Sequence, residues 1–120
     1  MTLNPTNVNV TTVGAGTLTT DQVLAGIITR SGPTGDFTDT LPATANLLAA
    51  LRADTPFVVR YLNASAHTAT IAAADASTTI AFGAGMLGAV TVATNQQCTI
   101  LFTPAGSSLT ATLLNRSTMV

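Results

Sequence analysis

A chain of 120 residues has room for one domain, able to bury on the order of two-thirds of its unfolded surface. Its bases are all Arg and its acids all Asp, with no Lys or Glu, so charged residues reach only 8% against roughly 25% in ordinary domains. With a net charge of −1 and its arginines scattered at Arg30, Arg52, Arg60 and Arg116, the chain offers no basic cluster for a nucleic acid.

Other partners and compartments are bounded in the same way. Cys98 is the single cysteine, set in the apolar run Cys98-Thr99-Ile100-Leu101-Phe102, which excludes an intrachain disulfide and implies a buried, inert thiol. Met1-Thr2-Leu3-Asn4-Pro5 lacks the basic start and apolar core of a signal peptide. The most apolar window, 80–93, contains three glycines and is too short to span a bilayer. These features predict a soluble chain made in the cytosol, with no membrane partner. Solubility must rest on Thr, Ser, Asn and Gln, and a surface so poor in charge suits a protein that lives in an assembly.

Taken in order, residues 1–17 are uncharged, polar and β-branched. Val8 and Val10 alternate with Asn7 and Asn9 as in one strand, and Gly14-Ala15-Gly16 reads as a hinge. The expectation is an extended N-terminal arm, either frayed or adding a strand to a neighbour's sheet. Residues 18–120 then form a single domain. Thr19-Thr20-Asp21 has the chemistry of a helix start, with Asp21 to Ala25 long enough for one turn, and Gly26 to Arg30 reads as a strand.

Gly32-Pro33 and Gly35-Asp36 are turn dipeptides, which predicts a loop over 31–38. Thr40 is placed to cap a short helix over about 42–53, with Pro42 in its first turn. Leu47, Leu48 and Leu51 share one face with Thr44, and Asp54-Thr55-Pro56 stops the run. So short a helix must be clamped onto a sheet. Strands follow at 57–62, 67–72, 78–82, 88–93, 98–103 and 109–114. Period-2 alternation points Phe57/Val59/Tyr61, Val90/Val92, Cys98/Ile100/Phe102 and Leu109/Ala111/Leu113 inward. Such strands separated by turn clusters predict a mainly β fold, an antiparallel β-sandwich or small barrel of jelly-roll-like kind.

Reactive constellations do not assemble from this inventory. His67 is the only histidine, so a His/Cys zinc cage is impossible, and no Gly-x-Ser-x-Gly elbow supports a triad of His67, Asp75 and Ser65, Ser77 or Ser107. Gly83-Ala84-Gly85-Met86-Leu87-Gly88 matches G-x-G-x-x-G literally, but a Val-Thr-Val strand follows where dinucleotide binding needs a helix. Asp36 and Asp39 offer oxygen for Ca²⁺, although Asp at such spacing more often makes Asx-turns and caps. The reading is therefore no catalytic residue, no cofactor and no metal.

The run Ala25-Gly26-Ile27-Ile28-Thr29-Arg30-Ser31-Gly32-Pro33-Thr34-Gly35, followed by Thr38-Asp39-Thr40-Leu41-Pro42-Ala43 and a short Ala/Leu helix, resembles the capsid-decorating (cement) proteins of tailed bacteriophages. The continuation Phe57-Val58-Val59-Arg60-Tyr61-Leu62-Asn63-Ala64-Ser65 fits the same pattern, and the likeness covers roughly 18–116. The resemblance implies a β-rich, non-enzymatic virion protein on the outside of a phage head, binding the major capsid protein and itself as a dimer or trimer. On that reading Val8 and Val10 of the arm, with Arg30, Arg52 and Arg60, are the candidate interface residues. The alternative is a receptor- or glycan-binding knob of a tail fibre, which requires an aromatic-lined patch from Tyr61 and four Phe.

Overall fold

In the computed structural model, which describes residues 5–51, 55–82, 86–87 and 90–118, the β-branched runs form two sheets. The strands are β1 (Thr6–Val10), β2 (Gly16–Thr17), β3 (Gly26–Arg30), β4 (Phe37–Thr40), β5 (Phe57–Asn63), β6 (Ala69–Ala72), β7 (Thr78–Phe82), β8 (Met86–Leu87), β9 (Val90–Val92), β10 (Gln96–Ala105) and β11 (Ser108–Thr118). The larger sheet has the order β1-β3-β5-β10-β11-β7-β8 and the smaller β2-β4-β6-β9. Strand makes up 52% and helix 12%, so the expected mainly β class holds.

The pairing is mixed where an antiparallel sandwich was expected. From β1 to β6 the chain visits the two sheets in turn, and each return to a sheet reverses direction twice. Successive strands of one sheet therefore run parallel: β1 with β3 and β3 with β5, β2 with β4 and β4 with β6. Antiparallel pairing dominates later, in the β10–β11 hairpin, in β10 with β5 and in β6 with β9. The hairpin turns through Gly106, at φ +64. Its one register shift, between Thr99 and Ile100, leaves Leu114 as the extra residue and aims it outward, at 51% exposure.

Residues 1–17, expected as a free arm, do not form one over their described part. Thr6 to Val10 lies in parallel register with Gly26 to Arg30, Val10 is buried, and Val8 packs against the core. The physical reason is Gly32. Its φ is +102, and a Cβ there would meet the Thr11 carbonyl oxygen at 2.5 Å, so the glycine lets the chain after β1 close onto the turn after β3. A radius of gyration of 13.2 Å, against roughly 13.6 Å for a compact chain of this length, leaves no room for a detached segment among the described residues.

Two helices cover the sandwich end. In α1 (Thr20–Leu24), Thr19 and Gln22 form a capping box and Asp21 sits in the first turn. The second helix, α2 (Thr44–Ala50), is shorter than the expected 42–53 and starts later. Thr40 belongs to β4 instead of capping it, and Ala43 at the N-cap provides no side-chain bond. Its leucine stripe is as expected, with Leu47 and Leu51 buried and Leu48 packed against the core. Asp54 and Arg52 lie outside the described residues, as do Gly83, Gly85 and Gly88 of the glycine pattern.

The inward sets named from alternation all reach the core, save that Leu113 is half-buried. Ile28, Val59, Tyr61, Ile100, Phe102 and Leu109 from the large sheet meet Phe37, Ile71, Val90 and Val92 from the small one.

Candidate functional site

Polar chemistry concentrates in three places, each built by strand phase. Arg30 on β3, Asp39 on β4 and Tyr61 on β5 point inward because each is in step with an apolar neighbour (Ile28, Phe37 and Val59). Arg30 and Asp39 are both fully buried, and the Arg30 Nε donates to Asp39 Oδ2 at 2.8 Å and Oδ1 at 3.1 Å. The Tyr61 hydroxyl donates to the same Oδ2 at 2.5 Å. Arg30 Nη1 donates to the carbonyls of Thr12, at 2.7 Å, and Ser31, at 3.1 Å, and Nη2 to that of Gly14. Its guanidinium carbon also lies 4.6 Å from the Phe37 ring centroid. One buried ion pair thus ties the two sheets together and holds the β1–β2 connection. Burial, then the hydrogen bond to Asp39, push the Tyr61 hydroxyl far above the usual phenol range.

Around Asn63, also fully buried, the side-chain amide donates to the carbonyls of His67 and Val92, each at 2.8 Å. Its oxygen accepts from the Ser65 N–H at 3.0 Å and from the Ser65 hydroxyl at 2.6 Å. This Asx-turn fixes the β5–β6 connection. At the third place Asp75 takes up the helix-capping role that Thr40 was expected to play. It accepts from the Thr44 N–H at 3.1 Å and the Thr44 hydroxyl at 2.6 Å, and that hydroxyl also contacts Thr78. The Thr44 hydrogen bonds hold the Asp75 carboxyl below its ordinary value.

These arrangements hold the fold. Every buried side-chain N or O among the described residues has a hydrogen-bond partner. No group of three or more His, Cys, Asp or Glu converges there. Asp39 is committed to Arg30 and Tyr61, while Asp36 accepts from the Thr68 N–H at 2.9 Å, so the two do not share a cation site. Of His67, Ser65 meets only the backbone, its hydroxyl donating to the carbonyl at 3.1 Å and accepting from the N–H at 3.2 Å. Burial pushes the Cys98 thiol up to about 12, in keeping with its place among Tyr61, Ile100 and Phe102. Two open depressions, one beside Asp36 and Thr70 and one between the helices beside Leu41 and Asn46, bring together no nucleophile and base.

The candidate interface residues separate. Arg30 is a correction: at 0% exposure it presents nothing to a partner, because its phase on β3 turns it inward. Val10 is buried and Val8 half-buried, so both belong first to the core. Arg52 lies outside the described residues. Arg60 does face out, donating through Nη2 to the Gln97 side chain, on a face it shares with Val58, Thr99 and Leu101. Val58 is 49% exposed and lies in register with Leu101, which in turn pairs with Thr112. That outward face of the large sheet, apolar and hydroxylated around one arginine, is the candidate functional surface.

Sequence reasoning missed Asp39 and Asn63 as the partners that organise the interior, and Asp75 as the cap of α2. The signal for the first two was present as strand phase with Phe37 and with Tyr61; Asp75, distant from Thr44 in sequence, had none. No protein-family model matches the chain, and no curated protein or solved structure is significantly similar to it.

Proposed function

We propose that the chain is a non-enzymatic virion structural protein that binds the outside of a phage head and stabilises contacts between major capsid subunits. The observation that carries this reading is the placement of the ionic groups. The Arg30–Asp39 ion pair lies wholly inside, while the outward face of the large sheet presents Val58, Leu62, Leu101, Thr99 and Thr112 around Arg60. Interfaces between proteins are depleted of charge at their centre and enriched in Arg. The run that carries the resemblance to decoration proteins contributes both Arg30 and Asp39, and so the inter-sheet tie beneath this face.

The test is retention. Purified protein is mixed in parallel with undecorated heads and with host cells, and each is pelleted. The proposal expects protein with the heads, and expects Val58→Lys combined with Leu101→Lys to lose that retention while melting as the parent does. Retention on cells alone would move the reading to a receptor- or glycan-binding role in a tail fibre.

A further inference from the structure

Among the described residues, the large sheet ends on an open strand that lacks the usual protections. Of the four sheet edges among the described residues, β2 and β8 have two residues each and β9 three, whereas β1 has five. Natural edge strands are blunted by charge, proline, bulges or a covering element. Thr6-Asn7-Val8-Asn9-Val10 contains no charge and no proline, it pairs with β3 without a register shift, and the first charged residue of the chain is Asp21.

The ladder defines what this edge offers. The Thr6 N–H donates to the Ala25 carbonyl at 2.7 Å, and the Val10 carbonyl accepts from the Ser31 N–H at 3.0 Å. In a parallel ladder alternate residues address the neighbouring strand, so Thr6, Val8 and Val10 bond to β3. Asn7 and Asn9 therefore direct their main-chain N–H and C=O groups away from the sheet, where no strand among the described residues meets them. Their side chains stand on the outward face, and Asn7 Oδ1 accepts from the Thr29 hydroxyl at 2.8 Å. Val8 remains half-buried on the inner side.

We propose that β1 pairs antiparallel with β1 of a second copy of this chain, about a two-fold axis at Val8, joining two seven-stranded sheets into one. The occupant follows from the sequence of the edge. An isologous contact sets each residue against its symmetry counterpart, and Asn7-Val8-Asn9 reads the same in both directions. Asn7 then faces Asn9 of the second copy and the two exchange both main-chain hydrogen bonds, a bonding repeated on the other side of the axis. Val8 meets Val8 of the second copy in the close, non-hydrogen-bonded position, which covers its exposed part. Thr6 and Val10, both β-branched, fall opposite one another, and no charges are opposed. This inference deepens the decoration reading, for which it supplies the homo-oligomer contact, but it is tested without any capsid.

The experiment is sedimentation equilibrium of the purified chain over a range of concentrations. The expected result is reversible dimer at twice the chain mass. Asn9→Pro removes only an outward N–H and should weaken dimerisation by about tenfold or more with little change in melting. Should the proline variant fail to fold, side-chain charge gives the same answer: Asn7→Lys with Asn9→Lys, and Asn7→Asp with Asn9→Asp, should each be monomeric alone. An equimolar mixture of the two should form heterodimers, because every Lys then faces an Asp. A monomeric parent chain, or a dimer that survives both charged pairs, overturns the proposal. Charged-pair monomers that still bind heads would show that decoration does not need this contact. A β1 dimer that ignores heads would leave this contact standing and remove the decoration reading.

Discussion

The first half of the sandwich and the β10–β11 hairpin solve the same problem differently. Strands β1 to β6 are joined by long excursions between sheets, so their parallel pairs form only when distant parts of the chain meet. That half carries the buried polar ties: Arg30 to Asp39 and Tyr61, and Asn63 to the His67 and Val92 carbonyls. The hairpin pairs along its own length through one tight turn and packs Cys98, Ile100, Phe102, Leu109 and Ala111 with no ion pair among the described residues. Local pairing needs alternation and a glycine; non-local pairing is specified here by directional contacts that accept a single arrangement. Loop-closure entropy makes the first arrangement the harder one to reach.

The largest effect should come from cutting the inter-sheet tie. Asp39→Ala leaves the Arg30 guanidinium buried without its counter-charge and should cost about 3–5 kcal/mol in urea denaturation, a large part of a small domain's stability. Replacing both groups, Arg30→Met with Asp39→Leu, should recover part of that loss. Recovery stays incomplete because the Thr12, Gly14 and Ser31 carbonyls lose their donor. Full recovery would mean that the first half is held by apolar packing alone, like the hairpin.

Tyr61→Phe probes the same tie more gently and should cost about 1.5–3 kcal/mol, the range for a hydrogen bond to a charged group. The chain's single tyrosine also reports on pH. Because the folded hydroxyl is held above its ordinary value of 10.0, the unfolded chain ionises first. Stability is thus full below that pH and is lost as pH rises beyond it. Tyrosinate absorbance should appear together with loss of the β circular-dichroism signal; tyrosinate in a folded chain would break the picture of a sealed cluster.

In the hairpin, Ile100→Val should cost only about 0.5–1.5 kcal/mol, with no dependence on pH or salt. A pH-dependent loss there would erase the contrast between the two regions. The smallest effect should belong to Asp75→Ala, which removes the borrowed cap of α2 and lowers the melting temperature slightly. The parent's Asp75 carboxyl is held below its ordinary 3.8, so its contribution is present above that pH and disappears as pH falls through the lowered value. Parent and variant should therefore melt alike in strong acid and differ at neutral pH.

Strand phase, turns and the leucine stripe were legible from residue order because each is a local property. Period 2 placed Phe57, Val59, Tyr61, Ile100 and Phe102 inside, and Leu47 and Leu51 were read correctly on a helix whose start was not. The same periodicity, applied to charge, would have turned Arg30 inward with Ile28. A lone arginine is ordinarily a surface group, and its partner Asp39 follows a stretch that reads as a loop running into a helix cap, so nothing local marks the pair.

By itself the sequence determined the class of fold: β-branched alternation, glycine turns and a scarcity of charge leave a mainly β fold, a sandwich or small barrel, as the way to bury these side chains. Tertiary structure alone decided which strands are neighbours, that residues 6–10 close the large sheet as its edge, and that Asp75 caps a helix far from it in sequence. Alternation tells a residue which face it is on but not which strand lies beside it. That choice belongs to contacts such as Arg30–Asp39, which exist only once both sheets have come together.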